Sequence, residues 1–97
     1  MKLVFRPAAE HDINDARAWY GLRSLDVETS FSRALAATLE IIIAHPLAYP
    51  QIEHGIRRAR VSTFPYVVYY LPKGDTIRVL AVVHTARHPD SWKRRRR

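Results

Sequence analysis

The chain has 97 residues, no cysteine, 47% hydrophobic residues and a net charge of +7. That length allows one domain with a single modest core, and the apolar content excludes a disordered charged tail protein. Without cysteine there is no disulfide framework and no thiolate metal site, so a reducing, cytoplasmic setting is expected.

The charge is unevenly placed. Residues 1–48 hold five Lys/Arg against six Asp/Glu, whereas residues 49–97 hold eleven against three. The whole excess therefore lies in the second half, which suggests a basic face for an acidic partner such as nucleic acid or an acidic protein surface. No apolar run is long enough for a signal-peptide core or a membrane span.

In chain order, "KLVF" is rich enough in β-formers for a short strand. Pro7 suits the first turn of a helix, and Ala9, Ile13, Ala16 and Tyr20 recur at helical spacing up to Gly21. A second helix is expected from a cap at Ser24 or Asp26, with Phe31, Ala34, Leu35, Thr38, Leu39 and Ile42 as its buried stripe and a stop at His45–Pro46. After "LAYPQIEHG" the period falls to two. "IRRARVSTF", "YVVYYL" and "TIRVLAVVH" read as three strands of an antiparallel meander, with "PKGD" as a turn. The order β-α-α-β-β-β gives an α+β two-layer domain: a helical hairpin on one face of a mostly antiparallel sheet, the other face left open. The domain is expected to occupy 1–92, with 93–97 as a basic, flexible tail.

The candidate functional residues follow from this layout. Arg58 and Arg60 would share a strand face, with Arg57 opposite. They form either a cationic patch or an edge protected by charge. Tyr66, Val68 and Tyr70 would point one way and Val67, Tyr69 and Leu71 the other. Exposed tyrosines there could stack on bases or pack against a peptide, whereas cross-strand packing is the plainer role. His84 ends the last strand and is either a proton carrier or a hydrogen-bond partner of the loop backbone. The five histidines have no metal-ligand spacing, and neither a glycine-rich phosphate loop nor a nucleophile elbow is present, so neither metal nor cofactor is expected. If the chain cleaves RNA, the cast is Arg58, Arg60, His84 and Arg87, with the cations stabilising the phosphate.

Four segments in order carry a resemblance: "PAAEHDINDARAWY", "FSRALAATLEIIIAHPLAYP", "IRRARVSTFPYVVYYL" and "IRVLAVVHTARHPDSWKRR". Together they resemble the RelE/ParE superfamily of toxins from bacterial type II toxin–antitoxin systems, across nearly the whole chain. The ribosome-dependent nucleases of that superfamily carry an arginine near the position of Tyr66 or Val67 and a terminal catalytic tyrosine or His-Tyr pair. Here Trp92 stands near that place and cannot usefully transfer a proton. The resemblance therefore leans to the ParE branch. It implies inhibition of growth through DNA gyrase, neutralisation by a small antitoxin, and contact with operator DNA only through that antitoxin. The alternatives are a RelE-like mRNA endonuclease, acting on mRNA at the ribosome, and a non-toxic basic nucleic-acid-binding domain. The residues expected to meet the target or the antitoxin are Arg57, Arg58, Arg60, Tyr66, His84, Arg87, Trp92, Lys93 and Arg94.

Overall fold

The structure, a computed structural model, describes residues 1–87 and 92–93. The elements are β1 (Lys2–Phe5), α1 (Pro7–Gly21), α2 (Leu25–Ala44), β2 (Gln51–Glu53), β3 (Ile56–Arg60), β4 (Tyr66–Lys73) and β5 (Thr76–His84). The sheet order is β1-β5-β4-β3-β2, with β1 parallel to β5 and the other pairs antiparallel.

The helix ends follow their local chemistry. Pro7 opens α1, where a missing N–H costs nothing. Ser24 caps α2 by accepting from the Val27 amide at 3.3 Å. The α2 helix ends at Ala44, just before His45–Pro46, since proline disfavours a helical residue ahead of it. Arg17 and Glu28 pair at 3.2 Å and join the two helices across the hairpin.

Two features differ from the sequence-based expectation. Gln51–Glu53 forms a further edge strand, so the order is β-α-α followed by four strands. A two-residue turn at His54–Gly55 joins it to β3. Both residues have positive φ (47° and 82°), as a type I′ hairpin turn requires. In addition, β3 stops at Arg60 instead of running through "VSTF". Thr63 there adopts φ 64°, a left-handed conformation uncommon for a β-branched residue.

Apolar side chains lie on both faces of the sheet. On the helical side, Ala9, Ala16, Phe31, Leu35 and Ile42 pack against Ala59, Val61, Tyr66, Val68, Tyr70, Ile77, Val79 and Val82. On the other side, Ile56, Val67, Tyr69, Leu80, Ala81 and Val83 form a second cluster, closed over by Trp92. Between Tyr69 and Tyr70 the β4–β5 register shifts: Tyr70 faces Val79 and Tyr69 faces Ala81, which leaves Leu80 as the extra residue. A bulge of this kind reverses side-chain parity beyond it. Simple alternation from Ile77 and Val79 would send Val82 and His84 to the open face. The bulge turns them to the helices instead.

Candidate functional site: a cationic sheet face and a cleft on the opposite side

The first face is the open side of the sheet. Arg58 lies opposite Tyr69 in the β3–β4 pairing and Arg60 opposite Val67, and both arginines are exposed. Strand alternation puts Arg78 on this side too, across from Leu71. At its centre Tyr69 and Trp92 stack with ring centroids 4.9 Å apart and planes 16° apart. Trp92 is only 6% exposed, so it covers the apolar cluster. The Lys93 ammonium lies 6.0 Å from its ring. The result is a flat, aromatic-centred surface bordered by guanidinium groups, suited to phosphates or carboxylates.

Arg57 does not join this face. It points toward the helical side and donates to the Tyr49 carbonyl at 2.6 Å and the Leu47 carbonyl at 3.2 Å. Tyr70 donates to the Pro46 carbonyl at 2.8 Å. These bonds hold residues 46–49 to the sheet, so the observed contacts of Arg57 are structural. The tyrosine rings of β4 are equally committed to packing: Tyr66 is 4% exposed, Tyr69 6% and Tyr70 0%. None offers a free stacking surface. Burial pushes the Tyr70 hydroxyl up to about 12, a rise that the nearby Arg57 charge opposes.

The second face is a cleft of about 410 Å³ between α1 and the end of β5. Its walls include His11, Asp12, Asp15, Trp19, Tyr66, His84 and Arg87. The cleft exists because β1 ends at Phe5, opposite Val79, and leaves the rest of that β5 edge without a neighbouring strand. Asp12 takes the place of one missing carbonyl and accepts from the Val82 amide at 3.0 Å. His84 packs edge-on against Tyr66, with centroids 5.3 Å apart. Its Nδ1 accepts from the amides of Ala86 at 3.1 Å and Arg87 at 3.2 Å. These bonds shape the turn that brings Arg87 back over α1. Arg87 then donates to the Tyr66 hydroxyl at 2.7 Å, and its guanidinium carbon sits 4.5 Å from the Trp19 ring centre. Burial raises the Tyr66 pKa, while the Arg87 charge and hydrogen bond oppose that rise.

The residues singled out in the sequence are therefore divided. Arg58, Arg60, Trp92 and Lys93 lie on the open face. Tyr66, His84 and Arg87 lie on the helical side. Arg94 lies outside the described residues. The cleft also contains residues that sequence reasoning passed over, chiefly Trp19 and Asp12, and Arg23 lies against Trp19. The i,i+4 spacing of Trp19 and Arg23 was the available signal: the Arg23 guanidinium lies 3.5 Å from the Trp19 ring centre. Among the described residues no group of acidic, histidine or cysteine side chains is placed to hold a metal ion, and no helix is long and apolar enough to cross a membrane.

Comparison with known proteins is consistent with this architecture. A solved structure described as the chromosomal ParDE TA system from P. aeruginosa matches with a TM-score of 0.73 and 17% identity, covering 87% of this chain and 95% of that one. At that identity the likeness concerns the fold. No curated protein matches the chain. The family model for the ParE toxin of the type II toxin–antitoxin system, parDE, matches residues 3–89. The chain belongs to the ParE toxin family of type II toxin–antitoxin systems.

Proposed function

We propose that this ParE-family toxin arrests bacterial growth by binding DNA gyrase through the open sheet face, without a proton-transfer centre of its own, and that a cognate antitoxin neutralises it. One observation carries the choice of target. The four groups that RNA cleavage would need do not converge: Arg58 and Arg60 lie on one side of the sheet, His84 and Arg87 on the other. General acid–base catalysis requires the proton carrier within hydrogen-bond reach of the reacting group, directly or through one water. His84 also commits Nδ1 to the amides of its own turn. Beside the open-face arginines stands Trp92, whose indole is a donor only. What remains on that face is binding chemistry: exposed guanidinium groups around an apolar centre.

An antitoxin is the natural partner of such a surface. A segment combining carboxylates with apolar side chains would gain charge-assisted hydrogen bonds from Arg58 and Arg60 and would bury apolar area. It would also block the face from its target.

Adding the purified protein to gyrase and, separately, to a translating extract tests the choice. The expected outcome is loss of supercoiling with transcripts left intact. Cleavage of mRNA within ribosomes, lost on His84→Ala, would establish the nuclease reading instead.

A further inference from the structure

Charge is divided between the two layers of the fold as sharply as between the halves of the sequence. The five strands hold six Lys/Arg and one carboxylate, Glu53, whereas α1 and α2 hold two Lys/Arg and six carboxylates. Of the strand cations, Arg57 turns to the helical side. The other five share the open face. Arg58, Arg60 and Arg78 project from it by strand alternation. Lys73 lies two residues beyond Leu71, which packs in the open-face cluster, and it pairs with Thr76. Lys2 also pairs with Thr76, and its neighbour Leu3 packs into the helical core, which turns Lys2 to the open side. Arg78 is half-buried and the other four are exposed. The ion pairs His11–Asp15 and Arg17–Glu28 lie on the helices and involve none of the five.

The spacing of these cations selects the partner. They form two groups: Arg58 and Arg60 on β3, and Lys2, Lys73 and Arg78 beside the β4–β5 turn. Arg60 lies opposite Val67 and Arg78 opposite Leu71, so four residues of β4 and two strand spacings part them, roughly 16 Å. One carboxylate or one phosphate reaches only one group. A peptide strand or helix, roughly 5 to 12 Å wide, follows one group along its path, as an antitoxin segment would at Arg58 and Arg60. Duplex DNA carries one charge per about 1.7 Å of its axis, and its two phosphate rows flank grooves about 6 and 12 Å wide, within reach of both groups. A single strand is held by bases stacked on exposed rings, but Tyr69 and Trp92 are each 6% exposed and stacked on one another. The sheet is broader than the helix or two-stranded ribbon that a groove admits, so its contacts fall on the backbone and carry no sequence preference.

We propose that the open face holds duplex DNA by its phosphate backbone, with Arg58 and Arg60 on one phosphate row and Lys2, Lys73 and Arg78 on the other, without regard to sequence. The inference deepens the gyrase reading and rests on it only for the source of the duplex, the segment that gyrase itself holds. The toxin would then engage the gyrase–DNA complex through both of its components.

The test is fluorescence anisotropy of a labelled duplex of about 20 bp and arbitrary sequence, titrated without gyrase between about 50 and 200 mM salt. The full chain is expected to bind, and so is a chain lacking residues 94–97. In the shortened chain, Lys73→Gln/Arg78→Gln and Arg58→Gln/Arg60→Gln should each weaken binding at least about tenfold at the lowest salt and flatten the log–log salt dependence by about 2. The charge-matched Arg23→Gln/Arg33→Gln variant, in the helical layer, should stay within about twofold of the parent. Arg58 and Arg60 are exposed, so that variant keeps the test valid should Arg78→Gln disturb folding. The single strand of the same sequence and poly-glutamate should compete at least about tenfold more weakly than the duplex. Equal effects of the strand and helix variants, loss of all binding with residues 94–97, or competition by the single strand or poly-glutamate that matches the duplex would overturn the proposal. Gyrase supercoiling is read separately. Duplex binding without gyrase inhibition removes the target reading and leaves this site standing, and inhibition by a protein that does not bind the duplex does the reverse.

Discussion

Single residues divide the cationic second half between structural contacts and exposed charge. Arg57 and Arg58 are adjacent in sequence, yet one holds a loop through carbonyl oxygens while the other projects from the open face. Strand alternation alone anticipates that division. It does not reveal that Tyr70 shares the same anchoring task through the Pro46 carbonyl. The Tyr70 pKa of about 12 gives this anchor a pH signature. The unfolded phenol titrates near 10, so between about 10 and about 12 the folded state keeps a proton that the unfolded state has lost. The contribution is fully present below pH 10 and declines as pH rises through the folded value. Urea unfolding as a function of pH should therefore show stability falling across that window. Tyr70→Phe should cost about 1 kcal/mol at neutral pH through the lost hydrogen bond and should flatten the alkaline fall. A residual slope is expected from Tyr20 and Tyr66, whose pKa values burial also raises. An unchanged alkaline slope in the variant would contradict the assignment.

At the level of elements, both helices and the main strands were legible because their punctuation is local. Pro7, Gly21, Ser24 and His45–Pro46 mark the helix ends, and the change of period marks the sheet. The edge strand β2 was not legible: three residues after Pro50, without β-branched alternation beyond Ile52, carry no strand signal of their own. The division of the candidate site was hidden for a different reason. A bulge is set by pairing between strands, and nothing in "TIRVLAVVH" announces that Leu80 is the extra residue. That one residue sends His84, and with it the turn to Arg87, to the helical side. Trp92, expected from the sequence to meet the target or the antitoxin, packs onto Tyr69. Its burial makes it the lid of the second apolar cluster. Trp92→Ala should thus cost about 3 kcal/mol, a fall of more than about 10 °C in melting temperature for a domain of this size. A variant melting within a degree or two of the parent would show that the stacked lid contributes nothing.

For the whole molecule, the sheet acts as a partition. The helical side carries the main core and the cleft that holds Arg87. The open side carries Arg58, Arg60 and the Tyr69–Trp92 pair. The two sides therefore differ in chemistry: guanidinium groups around an aromatic pair on one, a cleft with Asp12, Asp15 and Arg87 on the other. Because the open face relies on exposed charges, its interactions should weaken as salt rises, in contrast to the buried packing beneath. The central claim is that this face engages gyrase. The most direct measurement is gyrase supercoiling, with trapping of the gyrase–DNA cleavage complex, at graded concentrations of the wild-type protein and the Arg58→Ala/Arg60→Ala variant. The account predicts that the wild type abolishes supercoiling and accumulates cleaved DNA, and that the variant, still folded, needs at least about tenfold more protein, as expected when two charge-assisted contacts are lost. Full supercoiling in the presence of the wild-type protein, or equal potency of the two proteins, would contradict it.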